Sequence, residues 1–254
     1  MDKECILFYD SGVGGLTTFA ETYKILPHEN YIYFADDKNC PYGNKSVNEI
    51  KKTVLENLNN IFKGFKIKTL VFACNTATAS CVDDIRAQCG IDVVGIEPAI
   101  MLANKVLPGK GILTIATNLT INQKRYIQLT KRAIGNVYSL GLQNLARDVE
   151  DNLLFDKPID KEFYINKIKK ILKTNKEISS LVLGCTHYSY LKDYFSKELR
   201  IPVFDGNKGV AYRISNIVKS KNKNGGEVNI VLSSKDQFKE KRYYELFFCL
   251  KNKE

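Results

Sequence analysis

The 254-residue sequence contains no tryptophan, only two methionines and only two histidines, His28 and His187. It has no run of 18 or more apolar residues, so we expect no membrane-spanning helix. The first residues lead directly into a strand-like segment at 6–9, without the basic and hydrophobic regions of a signal peptide, so we expect a cytoplasmic location. No Cys-x-x-Cys pair occurs and imidazoles are scarce, so we expect no structural zinc site.

The cysteines are seven, an odd number, and their spacing along the chain is irregular. In a reducing compartment we expect them to be free thiols, most of them acting as small core residues. A thiol redox protein would need two cysteines that bond as a pair, and the spacing provides no such motif.

The net charge is +10, which raises the question of nucleic-acid binding. The basic residues, however, are mostly lysines scattered among acidic neighbours, and they are densest at 219–223 and 235–242. No nucleic-acid recognition motif accompanies them, so we interpret the charge as a solvated surface and expect no nucleic-acid partner.

Short apolar runs rich in β-branched residues alternate with segments of helical period throughout the chain. We predict strands at 5–9, 31–34, 69–73, 93–96, 111–115, 180–183, 202–204 and 228–232. Amphipathic segments such as 47–62 and 163–172 lie between them. This alternation predicts an α/β fold with mostly parallel, doubly wound sheets, in which ligands bind beyond the carboxyl ends of the strands.

The two halves of the chain repeat one pattern. Asp10 ends a strand 64 residues before Cys74, and Thr117 follows a strand 68 residues before Cys185. We therefore predict two similar α/β domains with the active site in the cleft between them. The first would comprise residues 1–97 plus 208–254, and the second residues 98–207.

Cys74 and Cys185 share a local context, because each follows a buried strand and a small residue and precedes hydroxyl or amide side chains. Two thiols at equivalent places could act as opposed acid/base groups on one carbon atom. A helix that begins near Cys74 would also lower the pKa of its thiol. His187 stands two residues after Cys185 and could exchange protons with it.

The segment 10–15, Asp-Ser-Gly-Val-Gly-Gly, follows a strand and precedes a predicted helix. Its glycines would let backbone N–H groups approach an anion, although the spacing is neither that of a dinucleotide fold nor that of a P-loop. Pro41, Tyr42 and Gly43 form a turn cluster beyond the second predicted strand.

Taken together, the segments 10–16, 41–43, 73–79 and 183–188 resemble glutamate racemase, the cofactor-independent enzyme that makes D-glutamate for bacterial peptidoglycan. The resemblance implies two α/β domains, an active site between them, a homodimer, and no requirement for pyridoxal phosphate or metal. It departs from the family pattern at 142–150, which replaces a Cys-Pro-rich stretch, and at Gln123, where the family has serine.

The resemblance also implies roles for individual residues. Cys74 and Cys185 would be the catalytic thiols, assisted by Asp10 and His187 respectively. Asp10 and His187 would also belong to the substrate-binding set, together with Ser11, Tyr42, Gly43, Asn75, Thr76, Thr117, Thr120 and Thr186. Glu150 would support the histidine, and Pro41 would support the turn.

Two alternatives remain at this point. A racemase of aspartate or another acidic amino acid would use the same pair of thiols, because the sequence does not show the length of the pocket. A small-anion-binding protein would explain the glycine-rich turn and the hydroxyls, but not two matched cysteines.

Overall fold

The computed structural model describes residues 3–218 and 226–253. Within these ranges the strands are β1 (Glu4–Asp10), β2 (Asn30–Ala35), β3 (Lys66–Phe72), β4 (Asp92–Gly95), β5 (Gly111–Ala116), β6 (Val137–Gly141), β7 (Ile178–Leu183), β8 (Val203–Phe204) and β9 (Val228–Leu232). They form two sheets, and every described pairing is parallel. The prediction of an α/β fold with mostly parallel sheets is confirmed.

The two sheets share one strand order. The first runs β4-β3-β1-β2-β9 and the second runs β6-β5-β7-β8, so β1 to β4 correspond to β5 to β8 and β9 is an addition at one edge. The β1–β3 register shifts between Cys5 and Ile6, and the β5–β7 register shifts between Gly111 and Ile112, the corresponding step. The repeat seen in the sequence is therefore a repeat of topology, down to one irregularity.

Helices cover both faces of the sheets. They are α1 (Leu16–Ile25), α2 (Val47–Gly64), α3 (Asn75–Gln88), α4 (Ile100–Val106), α5 (Asn118–Ile121), α6 (Lys124–Thr130), α7 (Leu145–Phe155), α8 (Lys161–Thr174), α9 (Lys192–Leu199), α10 (Asn207–Ile217) and α11 (Gln237–Asn252). In α2 a capping box joins Ser46 and Glu49, and the buried residues recur every three or four positions. The helices predicted at 47–62 and 163–172 correspond to α2 and α8.

The side chains of β1 alternate between two hydrophobic clusters. Ile6 and Phe8 pack with residues of α1, α10 and α11 on one face of the first sheet. Leu7 and Tyr9 pack with residues of α2 and α3 on the other face. Burial on both faces explains why this strand is almost entirely apolar in sequence.

The chain passes from the first sheet to the second after β4 and returns through α10. Thr18 of α1 donates a hydrogen bond to Asn207 at the start of α10, at 2.8 Å. Phe247 of α11 stacks on Phe19, with ring centroids 4.5 Å apart. The C-terminal elements thus pack on the first sheet, and the boundaries at 97/98 and 207/208 stay predictions.

All eight predicted strands are present, and β6 is a ninth strand that was not predicted. This strand lies at an edge of the second sheet, and its five residues are partly buried or exposed, so it lacks the apolar run of a central strand. The basic stretch 219–223 lies outside the described residues. In the other basic stretch, Lys239 and Arg242 form ion pairs with Asp37 and Asp156.

No helix in the described ranges combines the length and the apolar character needed to cross a lipid bilayer.

Candidate active site

The glycine-rich turn places Asp10 at the carboxyl end of β1. The backbone N–H of Gly12 donates to Oδ1 of Asp10 at 2.7 Å, while Oδ2 is buried without a hydrogen-bond partner among the described residues. Burial raises the pKa of Asp10 to about 7, against the lowering effect of the His187 charge. This carboxyl group can therefore exist in either protonation state near neutral pH.

Cys74 lies just beyond β3 and caps the N-terminus of α3. Its Sγ accepts from the backbone N–H of Ala77 at 3.5 Å and lies 3.7 Å from Oγ of Ser11. Burial nevertheless raises the pKa of the Cys74 thiol to about 12, and the nearby charge of Asp10 adds to this rise. The expectation of a lowered pKa is wrong, because loss of solvent outweighs the helix N–H.

Cys185 occupies the corresponding position after β7, where a 3₁₀ turn of residues 186–191 begins. Its Sγ lies 3.8 Å from Nδ1 of His187, and Nε2 of the same imidazole lies 2.7 Å from Oε2 of Glu150. Glu150 comes from α7, so this helix completes a line of contacts from thiol to imidazole to carboxylate. All three groups are among the site residues predicted from the sequence.

Opposing effects act on the pKa of the His187 imidazole. Burial lowers its pKa, but hydrogen bonds with Cys185, Cys40 and Glu150, and the charge of Glu150, together raise the pKa well above its ordinary value. Glu150 is fixed in turn by the backbone N–H of Val13 at 3.0 Å and by the hydroxyl of Tyr243 at 3.1 Å.

Three threonine hydroxyls join the two halves of the chain. Oγ1 of Thr76, at the start of α3, lies 3.2 Å from Oγ1 of Thr117 and 3.2 Å from that of Thr120. The hydroxyls of Thr117 and Thr120 are 2.9 Å apart, on either side of the start of α5. Since Thr76 follows β3 and Thr117 follows β5, the carboxyl ends of the two sheets face each other here.

The remaining predicted residues surround these groups. Nδ2 of Asn75 is buried without a hydrogen-bond partner among the described residues. Gly43 packs closely on Thr117, because a Cβ added to it would lie 2.8 Å from Cγ2 of that threonine. Thr186 lies against Gly14 in the same way, with its Oγ1 2.6 Å from the position of an added Cβ.

The hydroxyl of Tyr42 is engaged by neighbouring side chains. It donates to Oδ2 of Asp36 at 2.6 Å and lies 2.7 Å from the hydroxyl of Tyr9. The bond between Cys40 and Pro41 is cis, and the short 3₁₀ segment 42–44 follows.

Two residues that complete the site, Cys40 and Tyr33, were not predicted from the sequence. Cys40 lies close to His187 and Glu150 although it belongs to the loop after β2. Tyr33 donates from its hydroxyl to the carbonyl of Gly12 at 2.7 Å and so fixes the glycine-rich turn. The position of Cys40 directly before Pro41 could have indicated this cysteine. Nothing could have indicated Tyr33, because a tyrosine inside an apolar strand is indistinguishable from a core residue.

The site is enclosed. Cys74 and Cys185 are 6% and 7% exposed, and Asp10 is fully buried. A groove of about 440 Å³ between α2 and α3 is lined by apolar residues such as Leu58 and Phe65, and neither thiol lines it.

Two parallel sheets whose carboxyl ends bring together two thiols, two carboxyl groups and an imidazole define an α/β protein with a candidate acid/base site. The sequence pattern of the Asp/Glu/hydantoin racemase family matches residues 17–212. The chain is 37% identical over 228 residues to the glutamate racemase of Clostridium novyi, which covers 87% of this chain and 86% of that protein. The chain therefore belongs to the Asp/Glu/hydantoin racemase family, as its resemblance to glutamate racemase predicted.

Solved structures agree with this assignment. A glutamate racemase isoform from Bacillus anthracis matches with a TM-score of 0.82 and 30% identity, covering 98% of this chain and 95% of that chain. The glutamate racemase from Francisella tularensis, in complex with D-glutamate, matches with a TM-score of 0.82 and 26% identity over the same fractions.

Proposed function

We propose that this protein is a glutamate racemase, which interconverts L- and D-glutamate by proton transfer at Cα between Cys74 and Cys185. The observation that carries the proposal is the equivalence of the two thiols, which follow the corresponding strands β3 and β7 of two sheets whose carboxyl ends face each other. Removal of a proton from one face of a carbon and return of a proton to the other face requires two opposed groups. Relatives named glutamate racemase support glutamate as the substrate.

Each turnover exchanges the roles of the thiols. One cysteine, as thiolate, takes the α-proton, and the opposite cysteine, as thiol, donates its proton to the other face. The product leaves with inverted configuration, and the two cysteines have exchanged protonation states. In this proposal Asp10 assists Cys74, and His187 assists Cys185. Nδ1 of His187 lies 3.8 Å from Sγ of Cys185.

The charge of the substrate explains how a thiolate forms in this buried site. With a pKa of about 12 for Cys74, ionisation at pH 7 in the empty site would cost about 7 kcal/mol. An ammonium group about 4 Å from the thiolate would return about 4 kcal/mol at an effective dielectric constant of 20. The α-ammonium of the substrate therefore supplies much of the stabilisation, and the reactive thiolate forms mainly when substrate is bound.

The buried polar groups suit a dicarboxylic substrate. The hydroxyls of Thr76, Thr117 and Thr120 bond to one another and could donate instead to a carboxylate. The unpartnered amide of Asn75 adds a further donor. Donors that are already oriented in a buried site stabilise negative charge that grows on the α-carboxylate during proton removal.

Substrate entry requires the two halves to separate, because the groups of the site are buried and in contact across the halves. The proposed domains, residues 1–97 with 208–254 and residues 98–207, would move as the two bodies. Their crossovers near 97 and 207 would then be the hinges.

The family resemblance further supports a cofactor-independent reaction, a cytoplasmic homodimer and a role in supplying D-glutamate for peptidoglycan. Light scattering coupled to size-exclusion chromatography tests the dimer, with a mass twice the monomer's 28.8 kDa as the expected result.

The decisive experiment incubates the purified protein with L-glutamate in deuterated water without added cofactor. We expect D-glutamate that carries deuterium at Cα, detected by chiral chromatography and mass spectrometry. A parallel series with aspartate and other acidic amino acids tests the alternative substrate. Racemisation of aspartate without glutamate would transfer the assignment to that amino acid, and binding of either without turnover would favour a binding protein.

A further inference from the structure

We propose that Cys40, Glu150 and His187 form a binding site for a thiophilic divalent cation, with Zn²⁺ as the best-matched ion. One thiol, one carboxylate and one imidazole are all common zinc ligands, and three protein ligands leave a fourth position open. Within the described ranges, this is the group of three such side chains whose ligand atoms converge, all within 4.8 Å of one another.

The three ligands come from separate elements that the fold fixes in place. Cys40 belongs to the loop after β2, Glu150 to α7, and His187 to the 3₁₀ turn after β7. Ligands of tetrahedral zinc stand about 3 to 4 Å apart, given metal–ligand bonds of about 2.0 to 2.3 Å. Separations near the 4.8 Å limit would therefore have to shorten by about 1 Å, while the 2.7 Å between Nε2 of His187 and Oε2 of Glu150 would have to lengthen slightly. Spacing along the chain did not predict it, because no two of its members are neighbours in sequence.

Gly12 reveals how closely the thiol and the carboxylate converge. A Cβ added to Gly12 would lie 2.7 Å from Sγ of Cys40 and 2.5 Å from Oε2 of Glu150. The carboxylate is also oriented from outside the cluster by the backbone N–H of Val13 and the hydroxyl of Tyr243. Such supporting contacts are typical of metal sites, where they fix the direction of the ligands.

The charge of a divalent cation suits this buried place. A cation with two positive charges, bound to the Cys40 thiolate, the Glu150 carboxylate and neutral His187, sums to zero charge. Because a thiol must lose its proton to become a metal ligand, metal binding releases protons and strengthens as the pH rises.

Metal binding would also draw His187 away from Cys185. On the proposed function, in which this imidazole assists that thiol, the bound metal inhibits racemisation. The metal site itself does not depend on that function, because binding is measured without turnover.

The test is calorimetric titration of the reduced full-length protein with Zn²⁺, together with the absorption spectrum after Co²⁺ addition. We expect one Zn²⁺ per chain and a thiolate-to-cobalt charge-transfer band. Cys40→Ala should weaken Zn²⁺ affinity by at least about tenfold and reduce the band. Cys40→Ser is a second test variant, which keeps the size of the side chain. Cys249→Ser is the control: it removes an exposed thiol elsewhere and should bind Zn²⁺ as the unmodified protein does.

Circular dichroism and thermal melts establish that each variant is folded. If Cys40→Ala does not fold, Cys40→Ser takes its place as the test variant. Zinc inhibition is compared for each protein with its own metal-free rate, so any change in basal rate cancels. Absence of Zn²⁺ binding would overturn the proposal. Unchanged binding in both Cys40 variants would also overturn it and would place the metal on Cys74 or Cys185.

Discussion

Oε2 of Glu150 lies 2.7 Å from Nε2 of His187 and also accepts the backbone N–H of Val13 at 3.0 Å. One carboxylate therefore connects the imidazole beside Cys185 to the glycine-rich turn that carries Asp10. This connection makes the protonation of His187 dependent on a residue that the substrate need not contact.

Glu150→Gln should lower the pKa of His187, because it removes the negative charge that favours the imidazolium. NMR titration of the histidine ring measures this directly, and the only other histidine in the chain is His28. In the unmodified protein the raised pKa of His187 adds stability at acidic pH that disappears as the pH rises through the folded-state pKa. The Glu150→Gln variant should lose this stability at a lower pH. Tyr243→Phe, which keeps the charge, should shift the titration much less.

Asp10→Asn should change how stability depends on pH. Burial raises the pKa of Asp10 to about 7, so the folded state holds a proton that the unfolded state releases above about pH 4. The Asp10 contribution to stability should therefore fall by roughly 1.4 kcal/mol per pH unit between these values as the pH rises. Urea unfolding of both proteins across this range gives the difference. A difference that does not vary with pH would show that Asp10 keeps its ordinary pKa.

Cys74→Ala and Cys185→Ala should each lower the racemisation rate by at least about 100-fold, because each removes one of the two proton-transfer groups. The matched control is Cys81→Ala, which removes a buried thiol of α3 that donates to the carbonyl of Ala77 at 3.1 Å. Polarimetry in both directions measures the rates. Normal turnover by either active-site variant would refute the two-base mechanism.

Thr76→Val should lower kcat/KM for glutamate by about 10- to 100-fold, since a hydrogen bond to a charged group contributes about 1.5–3 kcal/mol. Its hydroxyl lies 3.2 Å from that of Thr117 and 3.2 Å from that of Thr120. Thr78→Val is the control in the same helix, because the Thr78 hydroxyl is directed at the backbone carbonyl of Phe72. Equal effects of the two substitutions would indicate damage to α3 rather than loss of a substrate contact.

Phe247→Ala should lower the free energy of unfolding by about 3–5 kcal/mol, because this ring is buried and stacks on Phe19. Its neighbour Phe248 is 49% exposed, so Phe248→Ala should cost less than about 1 kcal/mol. Thermal or denaturant unfolding compares the two. Similar losses would mean that α11 does not pack on α1 in solution as described.

Much of the fold could be predicted from the sequence because central parallel strands are continuous apolar runs. The gathering of Asp10 and Cys74 was predictable for a related reason, since parallel strands direct their carboxyl ends to one side of the sheet. Cys185 lies in the second sheet, and it was predicted from the repeat of the local pattern around Cys74. The edge strand β6 lacks the apolar signal and was missed.

Side-chain environment was harder to predict than position. The pKa of Cys74 is set mainly by burial, which depends on residues from both halves and leaves no local pattern. Cys40 reaches His187 only through the path of the loop after β2, and no spacing along the chain reveals that path.

The matching topology of the two sheets has a consequence for kinetics, because the two thiols follow corresponding strands while their proposed helpers, Asp10 and His187, differ chemically. Enantiomers have equal free energies in water, so the equilibrium constant of the reaction is one whatever the enzyme does. The Haldane relationship then requires equal kcat/KM in the two directions. A substitution that damages only one helper must therefore lower kcat/KM for both enantiomers by the same factor, and the chemical difference between the two sides can be expressed only in how kcat and KM divide that loss.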